Sequence, residues 1–308
     1  MATVTARHGF TYPAILEVAE RINWRVEDLI GGSKRLDFSR AFLPESLARV
    51  EPLTFLTPSE RLALNHIRAC GYLHVFGIVE EFIVPFVLRH VERDVRGESY
   101  QVRSFLEFAG EEAKHIHLFR RFKEEFDSGF GARCQLIGPS EAIGDAVLTH
   151  DDLAVGLVVQ QIEWMTQRHY IDSVANNEQL DPQFRSLLKH HWMEEAQHAK
   201  LDVLIVEALA AQRTPAQVTR ALDEYLEIGA FLDAGLGQQV EFDLATLEHL
   251  TGRLFTAAEG RQFAVVQTQA LRWTYLGSGM THPRFLESVG NLGPGLRERI
   301  EEVAPAFY

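Results

Sequence analysis

Glu112-Ala-Lys-His115 and Glu195-Ala-Gln-His198 decide how this 308-residue chain is read. Both are Glu-x-x-His segments. Residues three apart on a helix share a face, so each segment projects a carboxylate and an imidazole side by side. Each also has a glutamate about one helical hairpin upstream: Glu80 or Glu81 before the first, Glu163 before the second. Glu81 to Glu112 is 31 residues and Glu163 to Glu195 is 32. Two such helix pairs make a four-helix bundle with two metal ions between its helices.

A single Glu-x-x-His would mean little, because a chain of this composition contains about one by chance. The alternative, two solvated helix faces, fits poorly with the apolar residues around both segments. A glutamate can bridge two cations, and a histidine nitrogen terminates one. Four carboxylates and two histidines therefore suit two iron ions with positions left open for dioxygen. They suit iron or manganese better than a thiolate-bound zinc.

Glu80 and Glu81 are separated by helix face. At about 100° per residue, Arg61, Asn65, Arg68, Arg89 and Arg93 cluster on one side. Glu81 lies about 140° from their centre and Glu80 about 120°. Glu81 also shares its stripe with the small residues Ala63, Cys70 and Gly77. Glu80 would instead reproduce the 32-residue spacing of the second half. The face argument selects Glu81. His191, seven residues before His198, falls on the stripe of Glu195 and His198. Spacing leaves two roles open for it, a further ligand or a histidine hydrogen-bonded behind the ligands.

This pattern resembles the p-aminobenzoate N-oxygenase-like di-iron oxygenases. Their ligands run Glu, Glu-x-x-His, Glu, then His-x-x-x-Glu-x-x-His. Here Glu81 (or Glu80), Glu112, His115, Glu163, His191, Glu195 and His198 supply that order over residues 59–211. The first interval is a few residues shorter than that family's founding member would suggest. The resemblance implies an all-α, ferritin-like fold, a homodimer, and oxidation of an arylamine towards hydroxylamine and nitro products. C–H hydroxylation or desaturation by the same centre is the alternative chemistry. A ferritin-like iron-handling protein without an organic substrate is the alternative of another class, and residues 212–308 exceed what such a subunit needs.

The rest of the chain is consistent with a single all-α domain. Residues 1–57 read as an N-terminal extension with a short amphipathic stretch at Pro13–Trp24. Helix starts are signalled at Thr57-Pro58-Ser59-Glu60, Asp151-Asp152, Asp181-Pro182 and Thr214-Pro215. The bundle helices are expected to end near Arg93, Phe126, Asn176 and Ala211, with a kink at Pro85 and a glycine-rich loop at 127–140. Residues 212–308 are expected to pack as additional helices, too short for a core of their own. Strand signals are nearly absent.

A formal net charge of -13 argues against nucleic acid as a partner. The apolar stretch Tyr72–Val91 carries His74, Glu80, Glu81, Pro85, Arg89 and His90, so it reads as a core helix and not a membrane span. No targeting segment stands out, and Cys70 and Cys134 lie far apart without C-x-x-C spacing, so a cytoplasmic protein without disulfides is expected. No G-x-G-x-x-G, P-loop or G-x-S-x-G occurs, so neither a nucleotide cofactor nor a serine nucleophile is expected. Electrons for oxygen chemistry must come from an external donor. Phe105, Phe108, Phe119, Phe122 and Phe126 read mostly as core, with part of the run as a candidate wall of a dry pocket. His74 reads as a pocket or core residue, and His117 and His190 as outward or supporting. Asp202 is a candidate acceptor for the free N–H of His198. Arg272 reads as a surface arginine, with a substrate-carboxylate clamp as its alternative.

Overall fold

The computed structural model describes residues 8–308, apart from the side chain of Asp94; residues 1–7 of the expected N-terminal extension lie outside the described part. The described chain is helical, with one isolated bridge at Gly31–Lys34 and no named strand among the described residues. In chain order the helices are α1 (Tyr12–Ala19), α2 (Glu45–Ala48), α3 (Pro58–Asp94), α4 (Ser99–Gly129), α5 (Ser140–Leu148) and α6 (Asp152–His169). They continue with α7 (Pro182–Ala211), α8 (Pro215–Thr251), α9 (Ala257–Arg272), α10 (Ser278–Met280), α11 (Pro283–Leu292) and α12 (Leu296–Val303).

The helix starts follow local chemistry. Thr57 caps α3 through the N–H of Glu60, whose carboxylate returns to the N–H of Thr57, so two orphan donors are satisfied reciprocally. Thr214 with Gln217 and Thr256 with Glu259 repeat that box at α8 and α9. Asp151 and Asp181 cap α6 and α7 through the N–H groups of Leu153 and Phe184. Pro85 stands inside α3 without ending it.

The bundle is α3 packed on α4 and α6 packed on α7, closed by α4 against α7 and α3 against α6. By length and composition α3 is apolar enough to cross a membrane, yet it is the core helix expected from its charges: Leu64, Ile67, Phe76, Ile83 and Phe86 are buried against the bundle. Gly156 on α6 lets that helix approach Phe86 and Val206. Helix α1 covers α4 and α7, while α8 lies along α3 and α6.

Three features depart from the sequence reading. Helix α8 is 37 residues, as long as α3, where only short terminal helices are expected. Residues between the glycine-rich loop and Asp151 form α5. The two cysteines, remote in sequence, meet across α3 and the loop after α4: both are buried and free, and the Cys134 neighbour and burial hold the Cys70 thiol well above its ordinary range. Both thiols are thus kept as small buried groups.

His169, at the end of α6, is buried with its Nε2 3.0 Å from Ser278 Oγ. Burial, reinforced by the charge of Arg168, takes its imidazole down to about 3. The unfolded chain accepts a proton near 6.5, which the folded chain refuses until about 3. Its contribution is therefore complete above pH 6.5 and is lost as pH falls towards 3. His169→Gln is expected to recover about 2 kcal/mol of the stability lost between pH 7 and pH 5, read from urea midpoints at both values.

Candidate metal centre

The four bundle helices bring their carboxylates and imidazoles into one buried cluster. Glu80 on α3, Glu112 and His115 on α4, Glu163 on α6, and His191, Glu195 and His198 on α7 are each at most 2% exposed. Two groups within it have ligand atoms close enough to share an ion: Glu80, His115, His191 and Glu195, and Glu112, His115, Glu195 and His198. His115 and Glu195 lie within reach of both groups; the two oxygens of Glu195 can serve adjacent cation positions, while the one inward nitrogen of His115 can terminate a single ion. His115 Nδ1 is 3.0 Å from Glu195 Oε1, and His198 Nδ1 is 2.8 Å from Glu112 Oε1.

The first glutamate is Glu80, not Glu81. Glu80 Oε1 sits 3.0 Å from His191 Nε2. Glu81 turns outward, its side chain 33% exposed, and pairs with Arg120 at 2.6 Å. The face argument failed because two members of its supposedly outward cluster are inward. Asn65 is buried on the backbone of Phe42 and Leu43, and Arg68 is buried opposite Asp243 at 3.7 Å. His191 joins the cluster: its Nε2 is also 2.7 Å from Glu195 Oε1.

Sequence reading missed two residues that orient the imidazoles. Each Glu-x-x-His is preceded by another glutamate, giving Glu111-Glu112 and Glu194-Glu195. His198 Nε2 donates to Glu111 at 2.8 Å, and His115 Nε2 donates to Glu194 at 2.9 Å. Each helix thus fixes the histidine of the other and turns its Nδ1 lone pair inward. The doubled glutamate was the available signal. Asp202, the acceptor expected for His198, does not perform that role: it is buried, and neither oxygen has a hydrogen-bond partner.

The two halves differ beyond the ligands. Lys114 donates to Glu194 and lies 4.2 Å over the ring of Trp24, which stacks on His115 at 6.2 Å. No equivalent cation is paired with Glu111 among the described residues. Phe108 stacks on His198 at 4.1 Å, and Phe119 and Phe76 meet His191 edge-on at 5.0 and 5.5 Å, which makes the surroundings dry. His74 Nε2–H donates to the Ile137 carbonyl, His117 faces Glu27 on the surface, and His190 lies against Ser186. Arg272 forms a two-pronged pair with Asp233 and is no free clamp.

Protonation shows what the cluster is built for. Burial, with Glu112 and Glu195 nearby, pushes the Glu80 carboxyl well above its usual range. Burial and Glu195 do the same to Glu163. Burial and Glu195 also act against Glu112, but the Glu80 hydrogen bond and His198 carry it down to about 2. Burial is likewise outweighed at Glu195, where His191, His198 and His115 hold the carboxylate well below its range. His115 and His198, despite burial, are held well above the ordinary imidazole range, chiefly by Glu195. His191 is lowered by burial. Glu80 and Glu163, pushed up, thus stand beside Glu112 and Glu195, held down, and cations would replace the protons that the raised carboxyls favour.

The donor set fits a pair of metal ions. Both oxygens of Glu112, Glu195 Oε1 and His115 Nδ1 are buried, converge, and satisfy no hydrogen-bond geometry. Glu194→Ala is expected to weaken metal binding by about 10- to 100-fold, because His115 loses the partner that orients it. Metal titration of the variant against the parent measures this.

No known family model matches the chain, and no curated protein does. Among solved structures, the chain is similar to variants of an R2-like ligand-binding oxidase. One with an aerobically reconstituted Mn/Fe cofactor is 15% identical, covering 87% of this chain and 97% of its own, with a TM-score of 0.45. A variant with an anaerobically reconstituted Mn/Fe cofactor gives 15%, 87%, 94% and 0.47, and one with an Fe/Fe cofactor 15%, 87%, 94% and 0.45. On its own coordinates, the protein is an all-α four-helix bundle with additional helices and a buried histidine and carboxylate site able to hold two metal ions.

Proposed function

We propose that this protein is a dioxygen-dependent non-haem di-iron monooxygenase. The observation that carries the reading is the pair of buried ligand groups sharing His115 and Glu195. Glu80, Glu112, His115, Glu163, His191, Glu195 and His198 would hold the ions, which would supply the redox chemistry of dioxygen reduction. The carboxylates neutralise the cations, Glu111 and Glu194 orient the imidazoles, and Phe76, Phe108 and Phe119 exclude water. The reaction proposed is N-oxygenation of an arylamine, which consumes O2 and two electrons from an external donor and releases water. A cytoplasmic homodimer is the proposed form. A second reading, C–H hydroxylation or desaturation, is favoured by the largely apolar cavity near the centre.

Anaerobic protein loaded with Fe(II) is expected to bind two equivalents, and mixing with O2 to give a transient visible absorption that decays faster when an arylamine is present. Binding of one zinc ion with no response of iron-loaded protein to O2 would overturn the proposal. A cage-sized assembly on size exclusion, with iron accumulating as mineral, would favour iron handling instead.

A further inference from the structure

We propose that the molecule presented to this centre is uncharged and held in an apolar slot that the Phe76 ring separates from the metal ligands, with the Tyr275 hydroxyl as its one polar contact. The inference rests on the oxygenase reading and names the class of its substrate. The slot is bounded on α3 by Val75, Phe76, Ile78, Val79 and Phe82, residues that bracket Glu80, and on α6 by Ile162 and Met165, which bracket Glu163. Ile137, Ile143, Leu232 and Leu236 close it from outside. Phe76 is common to slot and centre, since its ring also meets His191 at 5.5 Å. An occupant therefore lies one aromatic ring away from the ligands.

Among the lining side chains only Tyr275 carries a polar atom. It is delivered by a π-helical turn, Trp273–Gly277, that interrupts the path from α9 to α10. Such turns insert one residue into a helix and re-aim its side chains, often where a ligand binds. No cation is spare to receive a carboxylate. Arg68, whose charge reaches Tyr275, is buried opposite Asp243, and Arg272 is taken by Asp233. A charged group entering the slot would be desolvated without a partner, which is the costliest form of burial. An arylamine nitrogen is neutral near pH 7 and meets the condition; an arylamine carrying an ionised acid does not. At about 50 Å³ the slot is narrow, so a ring must displace Ile137, Ile143 or Leu232, all only partly buried.

The test is calorimetric titration of iron-loaded protein without O2, using para-toluidine, toluene and para-aminobenzoate as probes. Para-toluidine and toluene are expected to bind, and para-aminobenzoate at least about 100-fold more weakly than para-toluidine. Tyr275→Phe is expected to weaken para-toluidine about 5-fold and leave toluene unchanged. Val79→Trp, which fills the slot, is expected to abolish binding of both at unchanged iron content; Ile143→Phe on the opposite wall serves if that variant does not fold. Tight binding of para-aminobenzoate, or unaltered binding in the filled variants, overturns the proposal. Binding as described without any oxygen reaction would sink the oxygenase reading and leave the slot assignment standing.

Discussion

Glu80→Ala is expected to cut the metal bound per chain from two equivalents to one, while Glu81→Ala leaves two. The neighbours are adjacent in sequence and opposite in environment. Glu80 is 2% exposed and 3.0 Å from His191, whereas Glu81 reaches solvent and Arg120. Removing Glu80 deletes a carboxylate from the group containing His115, His191 and Glu195. Removing Glu81 breaks a surface ion pair worth about 0–1 kcal/mol. Metal analysis after desalting, with the melting temperature of each metal-free variant, separates the two. Equal metal loss in both variants, or loss only in the Glu81 variant, would reverse the assignment.

Glu195→Ala should have the larger effect, because its carboxylate belongs to both ligand groups. Three imidazoles surround it, and without it they lose their common counter-charge. The expected outcome is fewer than one equivalent of retained metal and no rise in melting temperature on adding iron anaerobically. In the parent protein, iron at 100 times its dissociation constant should add about 2.7 kcal/mol of stability. Calorimetric scans with and without Fe(II) measure that gain, and a variant that keeps it would show that Glu195 is dispensable.

Much of this architecture is legible in the chain because its chemistry is local. Helix starts are written in short-range patterns, such as Thr57 with Glu60, and the structure places three of the expected starts within a residue of Asp151, Asp181 and Thr214. The Glu-x-x-His segments mark the inner face because three-residue spacing is a property of one helix. What the chain does not show depends on partners far away in sequence. Arg68 reads as a surface residue until Asp243 on α8 is seen opposite it, and that misreading misplaced Glu81. Glu111 and Glu194 read as neighbours of ligands until each is seen to meet the histidine of the other helix. The meeting of Cys70 with Cys134 is equally a tertiary fact.

The raised carboxyls of Glu80 and Glu163, with the raised imidazoles of His115 and His198, make the metal-free protein an acid that cations would titrate. Each arriving cation must evict hydrogen ions from a raised carboxyl and from the Nδ1 atoms of His115 and His198. Loading in weakly buffered solution should therefore acidify it, in proportion to the ions taken up. Apparent affinity should climb steeply with pH for the same reason.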